Sequence, residues 1–82
     1  MPEAYVDELL SLGATIWYND WPSISGYEVT FPTMRQALAN SDKMLELAYE
    51  YGEGTVLVAQ PEMYTNQFTN ARRLTREEAI NK

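Results

Sequence analysis

The chain has 82 residues, with 45% hydrophobic and 12% aromatic content and a formal net charge of −6. That length leaves room for one thin hydrophobic core and excludes two independent domains, while the composition excludes an intrinsically disordered chain. With no cysteine and no histidine, disulfide reinforcement is excluded. The familiar serine-, cysteine- and zinc-dependent chemistries also lose their base, nucleophile or ligands together.

Pro2 fits the first turn of a helix, and Tyr5, Val6, Leu9, Leu10 and Leu12 recur at three- and four-residue spacings before Gly13. Residues 3–12 are therefore predicted to be helical, with the glycine as C-cap. Residues 15–18 supply a β-branched and aromatic run in which Ile16 and Tyr18 share one face and Thr15 and Trp17 the other. Residues 19–26 are dense in turn formers, and the alternation over residues 27–31 predicts the second strand of a hairpin. Pro32 stops that strand, and Thr33 with Gln36 has capping-box spacing, so a second helix is expected from there.

Along that helix Met34, Leu38, Ser41, Leu45 and Ala48 form one stripe, flanked by Ala37, Met44 and Tyr51, and Gly52 and Gly54 end the run. Residues 33–51 are read as one continuous helix. The opposing signal is Asn40-Ser41-Asp42, whose side chains compete for backbone hydrogen bonds and offer a second N-cap. Residues 55–59, apolar at both parities and bounded by Gly54 and Pro61, read as a third strand covered on both sides. After Pro61 the chain turns polar, as a loop or a poor edge strand. Thr75 with Glu78 repeats the capping-box spacing and predicts a short last helix over residues 76–81.

The expected fold is α+β, in the order α-β-β-α-β with a C-terminal extension that carries a short helix. Helices pack on a small, mainly antiparallel three-stranded sheet, with a fourth edge strand left open. The first strand is expected at the centre, between the second and the third; the alternative sets the third beside the second as a parallel crossover. Residues 1–82 are read as one domain, with residues 1–61 as the body and 62–82 as a polar extension.

Charge divides close to the same line. Residues 1–62 sum to −8 and residues 63–82 to +2, so the body repels nucleic acid and direct nucleic-acid binding is disfavoured. The apolar runs fall far short of the ~20 residues that span a bilayer, and the acidic N-terminal segment does not resemble an export signal. A cytoplasmic location without membrane association is expected. No EF-hand spacing and no phosphate-binding glycine loop is present, so neither a cofactor nor a metal is expected, and the chain is read as no enzyme.

Binding is the remaining class. Asp42, Glu46, Glu50 and Glu53 recur at spacings of four, four and three, which places four carboxylates on one side of the second helix. Trp17, Tyr18, Trp21 and Tyr27 concentrate aromatic area around the hairpin, with Asp20 and Trp21 in its turn, where a large ring suits a partner anchor. These residues are expected to dock on a basic surface of a larger protein or nucleoprotein complex and to inhibit or modulate it. Arg72, Arg73 and Arg76 form the alternative site: a dimeric, antitoxin-like or regulatory protein whose arginine-bearing C-terminal segment contacts DNA or a partner. A homodimer is left open. The bland readings are a solvated helix face for the acids, a cap over the core for Trp21, and pairing with the acidic body of the chain for the arginines.

Residues 26–32 followed by residues 35–40 resemble the strand-to-helix passage of HicB-type antitoxins, over less than a fifth of the chain. Thr33-Met34 stands where that family has a longer connection, and the pattern is generic to a strand, a proline and a capped helix, so it implies no membership. In size, acidity and lack of catalytic apparatus the chain is similar to phage-encoded counter-defence inhibitors, including anti-CRISPR proteins. That similarity is one of type and implies occupation of a host machine's binding site.

Overall fold

In a computed structural model, residues 1–20, 25–52, 57–59 and 71–81 are described. The first helix, α1, covers Glu3–Ser11 and ends in a Schellman motif. Gly13, at φ 88°, donates its N–H to Leu10 O at 3.0 Å, and Ala14 donates to Leu9 O at 3.2 Å. Only a residue at ease with positive φ closes both bonds, which is why the helix stops at this glycine.

Strand β1 (Thr15–Asp20) and strand β2 (Ser25–Thr30) form the expected antiparallel hairpin, with Ile16 opposite Val29 and Tyr18 opposite Tyr27. Pairing fixes the faces. Ile16 and Val29 are buried against the helices, whereas Trp17, Glu28 and Thr30 point to the other side of the sheet. On that side the indole Nε1 of Trp17 donates to Thr30 Oγ1 at 2.8 Å.

The segment read as one helix is two: α2 (Met34–Ala39) and α3 (Ser41–Tyr51) meet at Asn40, whose φ of −100° and ψ of 3° depart from helical values. The competing side chains won. Asn40 Nδ2 donates to Gln36 O at 2.9 Å and Ser41 Oγ to Leu38 O at 2.9 Å, so both residues bond back to the preceding turn. At the start of α2, Thr33 Oγ1 accepts the Gln36 N–H at 3.1 Å, as its spacing predicts. Gly52, at φ 71°, closes α3.

The expected apolar stripe is also corrected. Ala37, Met44 and Leu47 face the core, while Leu38 and Leu45 are 69% and 70% exposed. A leucine at helical spacing reads as core until the helix's rotation is known; here the core takes the neighbouring stripe, and of the expected one Met34 still packs partly against it.

Strand β3 (Leu57–Ala59) pairs with β2 in parallel, with Val29 opposite Val58. The expected place beside β1 is instead taken by β4 (Ala71–Arg73), which runs antiparallel to β1 with Trp17 opposite Arg73 and Tyr18 opposite Arg72. The sheet order is therefore β3-β2-β1-β4. Two helices lie between β2 and β3, ample for the dozen or more residues that a parallel crossover needs. Leu74, with 5% exposure, anchors the end of β4 in the core and donates its N–H to Ile16 O at 2.9 Å.

The last helix, α4 (Arg76–Asn81), begins in a reciprocal capping box: Thr75 N–H donates to Glu78 Oε1 at 3.0 Å and Glu78 N–H to Thr75 Oγ1 at 3.2 Å. Ala79 on α4 is fully buried, so the segment read as an extension supplies both an edge strand and part of the core. The core itself joins Tyr5, Val6 and Leu9 of α1 to the sheet and to α2, α3 and α4. The architecture is α+β, with helices packed on a mainly antiparallel sheet. Among the described residues no helix is long and apolar enough to cross a membrane.

Candidate interaction surface

The outward side of α3 follows from how its inward side is used. Met44 and Leu47 are buried, and Tyr51 packs partly against the core with its ring stacked on Tyr5 at 5.3 Å. Since α3 buries that side, Asp42, Glu46 and Glu50 are left exposed one turn apart. Lys43 relieves one of them weakly, with Nζ 3.7 Å from Glu46 Oε1. No ion pair reaches Asp42 or Glu50 among the described residues. The fourth acid of the expected ridge, Glu53, lies outside the described residues.

The sequence reading missed the apolar part of this surface. Tyr49 is 93% exposed and lies one turn beyond the exposed Leu45, with Leu38 seven residues before Leu45 on α2. The available signal was the competition between two apolar stripes on one helix, of which only one fits the core.

Tyr27 of the hairpin does not join this surface. Tyr27 is half-buried, packs against the core and meets the Tyr18 ring edge-on at 5.5 Å. It lies on the helix-facing side of the sheet, whereas the α3 acids face away from the sheet. Asp20 closes β1, but its side chain and all of Trp21 lie outside the described residues.

The arginines are separated from one another and drawn into the fold to different degrees. Arg76 donates through Nε to Asp7 Oδ1 at 2.7 Å and through Nη2 to Asp7 Oδ2 at 3.2 Å, a forked pair that ties α4 to α1. Glu77 at 3.2 Å and Glu3 at 3.6 Å complete its surroundings. The hydrogen bond from Arg76 lowers the Asp7 carboxyl below its ordinary pKa and correspondingly raises that of Arg76. Arg72 stands 3.7 Å from Glu78. Arg73, exposed, lies on the Trp17 side of the sheet.

Among the described residues no group of three or more acidic, histidine or cysteine side chains is placed to hold a metal ion. In comparisons with known proteins, no protein-family profile, curated protein or solved structure matches the chain.

Proposed function

We propose that this chain is a non-enzymatic binding protein that docks its α3 acids on a basic surface of a larger macromolecule and modulates or inhibits it by occupying that surface. Phage-encoded counter-defence inhibitors act in this manner, and the proposed action is of their type. The carrying observation is the exposed row Asp42, Glu46 and Glu50, which meets only one distant lysine within the described chain. Like charges one turn apart destabilise a helix by roughly 0.2–0.5 kcal/mol per pair, so this row costs the fold a little and contributes nothing to its packing. A complementary field would act chiefly on the association rate.

Less supports the reading in which the C-terminal arginines contact DNA. Arg76 is already surrounded by Asp7, Glu3 and Glu77, and Arg72 has Glu78 beside it. A phosphate would have to displace these carboxylates.

The test is quantitative capture from a lysate of the host by the immobilised chain, beside a Glu46→Lys/Glu50→Lys variant. Both positions are exposed, so the variant is expected to fold as the parent does. Partners that the parent retains and releases with salt should be lost from the variant. An identical retained set from both proteins would sink the proposal.

A further inference from the structure

The α3 surface is not uniformly acidic, and the position of its apolar part narrows what can cover it. Asn40 closes α2 by donating its N–H to Gln36 O at 3.0 Å and opens α3 by accepting from Met44 N–H at 2.8 Å, so the helical ladder is interrupted there and the face is set by α3 alone. At about 100° per residue along α3, Leu45 and Tyr49 stand roughly 40° apart around the axis, and Asp42, Glu46 and Glu50 take roughly the next 80°. Two large apolar side chains thus stand against one flank of the carboxylate row, with Leu38, also exposed, on α2 beyond the junction. Core packing does not explain them, since all three are more than two-thirds exposed.

Resting on the docking role proposed above, we infer that the occupant of this face is a basic amphipathic helix of a partner protein. Its apolar stripe covers Leu45 and Tyr49, and its lysines or arginines meet Asp42, Glu46 and Glu50. A charge-only mimic of nucleic acid has no use for the leucines. A second copy of this chain would bring its own three carboxylates against these, a like-charge contact that costs binding. Opposite charge with a matching apolar stripe satisfies both halves of the face. Helix-on-helix packing also requires apolar contacts at this three- and four-residue spacing.

The probe is a synthetic 14-residue helix of leucine and lysine with all its leucines on one face, titrated calorimetrically against the full chain. An oligolysine of equal charge serves as the comparison. The amphipathic peptide is expected to bind at least about tenfold more tightly than oligolysine, because a few truncated apolar anchors commonly account for that much affinity. Leu45→Ser/Tyr49→Ser should abolish this preference while leaving oligolysine binding as it was. Glu46→Lys/Glu50→Lys should weaken both peptides.

Equal affinity for the two peptides overturns the inferred helix and leaves acidic docking standing. A preference that survives the Leu45→Ser/Tyr49→Ser substitution overturns the inference as well, because the leucines of the probe would then be bound elsewhere. Binding of neither peptide overturns the inference together with the docking role. A dimer of the chain in sedimentation that dissociates on the same double substitution would assign the face to a second copy instead.

Discussion

Two charged surfaces of this small domain are built in opposite ways. Where α1 meets α4, charges from residues 69 positions apart in the chain come together, and Arg76 grips Asp7 with two hydrogen bonds. On the outward side of α3, charges of one sign are set a turn apart and left in water, beside leucines and a tyrosine that the core does not use. The first arrangement holds the molecule's own parts together. The second adds like-charge repulsion and exposed apolar area without contributing to packing, a cost that the proposed docking role would account for. Exposed ion pairs contribute little net stability once screened by water, so the α1–α4 junction must rest mainly on its buried residues.

The sharpest way to test that contrast is to truncate the two sides of α3 separately. Leu47 is 1% exposed, and Leu47→Ala is expected to cost about 2–5 kcal/mol through lost burial and the cavity left behind. Leu45→Ala, two residues away on the other side, should change stability by no more than about 0.5 kcal/mol. Urea denaturation of both variants checks this directly. A large loss at Leu45 would mean that its side chain is part of the core and would remove the apolar half of the proposed docking face.

Buried residues at the α1–α4 junction should respond to added volume. Ala79 has no exposed surface, and α4 packs on α1, so Ala79→Leu forces extra methylenes into a filled space. The expected cost is about 1–3 kcal/mol. A neutral outcome in thermal or urea unfolding would show that α4 sits loosely and that the Arg76 ion pairs, rather than packing, hold the tail in place.

This contrast was partly visible in the sequence. Gly13, the Thr33–Gln36 and Thr75–Glu78 spacings and the alternation of residues 27–31 all act within a few residues of where they stand, and each marks a helix end, a helix start or a strand that forms close to where it was expected, although the helix that Thr33 opens stops at Ala39. The misreadings involve choices that local spacing does not decide. One continuous helix and two helices joined at Asn40 differ by a pair of side-chain bonds to the preceding turn. The neighbour of β1 depended on whether residues 71–73, Ala-Arg-Arg, would act as a strand, and nothing in strand propensity favours that run. Leu74 secures it, through burial that only the assembled fold supplies. The acids of α3 were legible because a four-residue spacing fixes their common side on any helix. The leucines beside them were not, since exposure depends on which of two stripes the sheet selects.

The smallest expected effect concerns acid, and it separates the two surfaces by their protons. With no histidine in the chain, no side chain of ordinary pKa titrates between about pH 5 and 8, and stability should be nearly flat across that window. Below it, Asp7 matters because its carboxyl is held under its ordinary pKa in the folded chain, first by the hydrogen bond from Arg76. A lowered folded-state pKa contributes stability that is fully present above the unfolded-state value. As pH falls, the unfolded chain takes up the proton first, and the contribution fades until the folded carboxyl is protonated as well. Asp7→Asn should therefore be slightly less stable than the parent at neutral pH, and it should lose stability less steeply on acidification, so that the two curves converge in acid. Urea midpoints measured from pH 7 down to the acid limit test the slope. Parallel curves would show that the Asp7–Arg76 contact is too well solvated to couple protonation to folding, and the junction would then differ from the α3 face in geometry but not in energy.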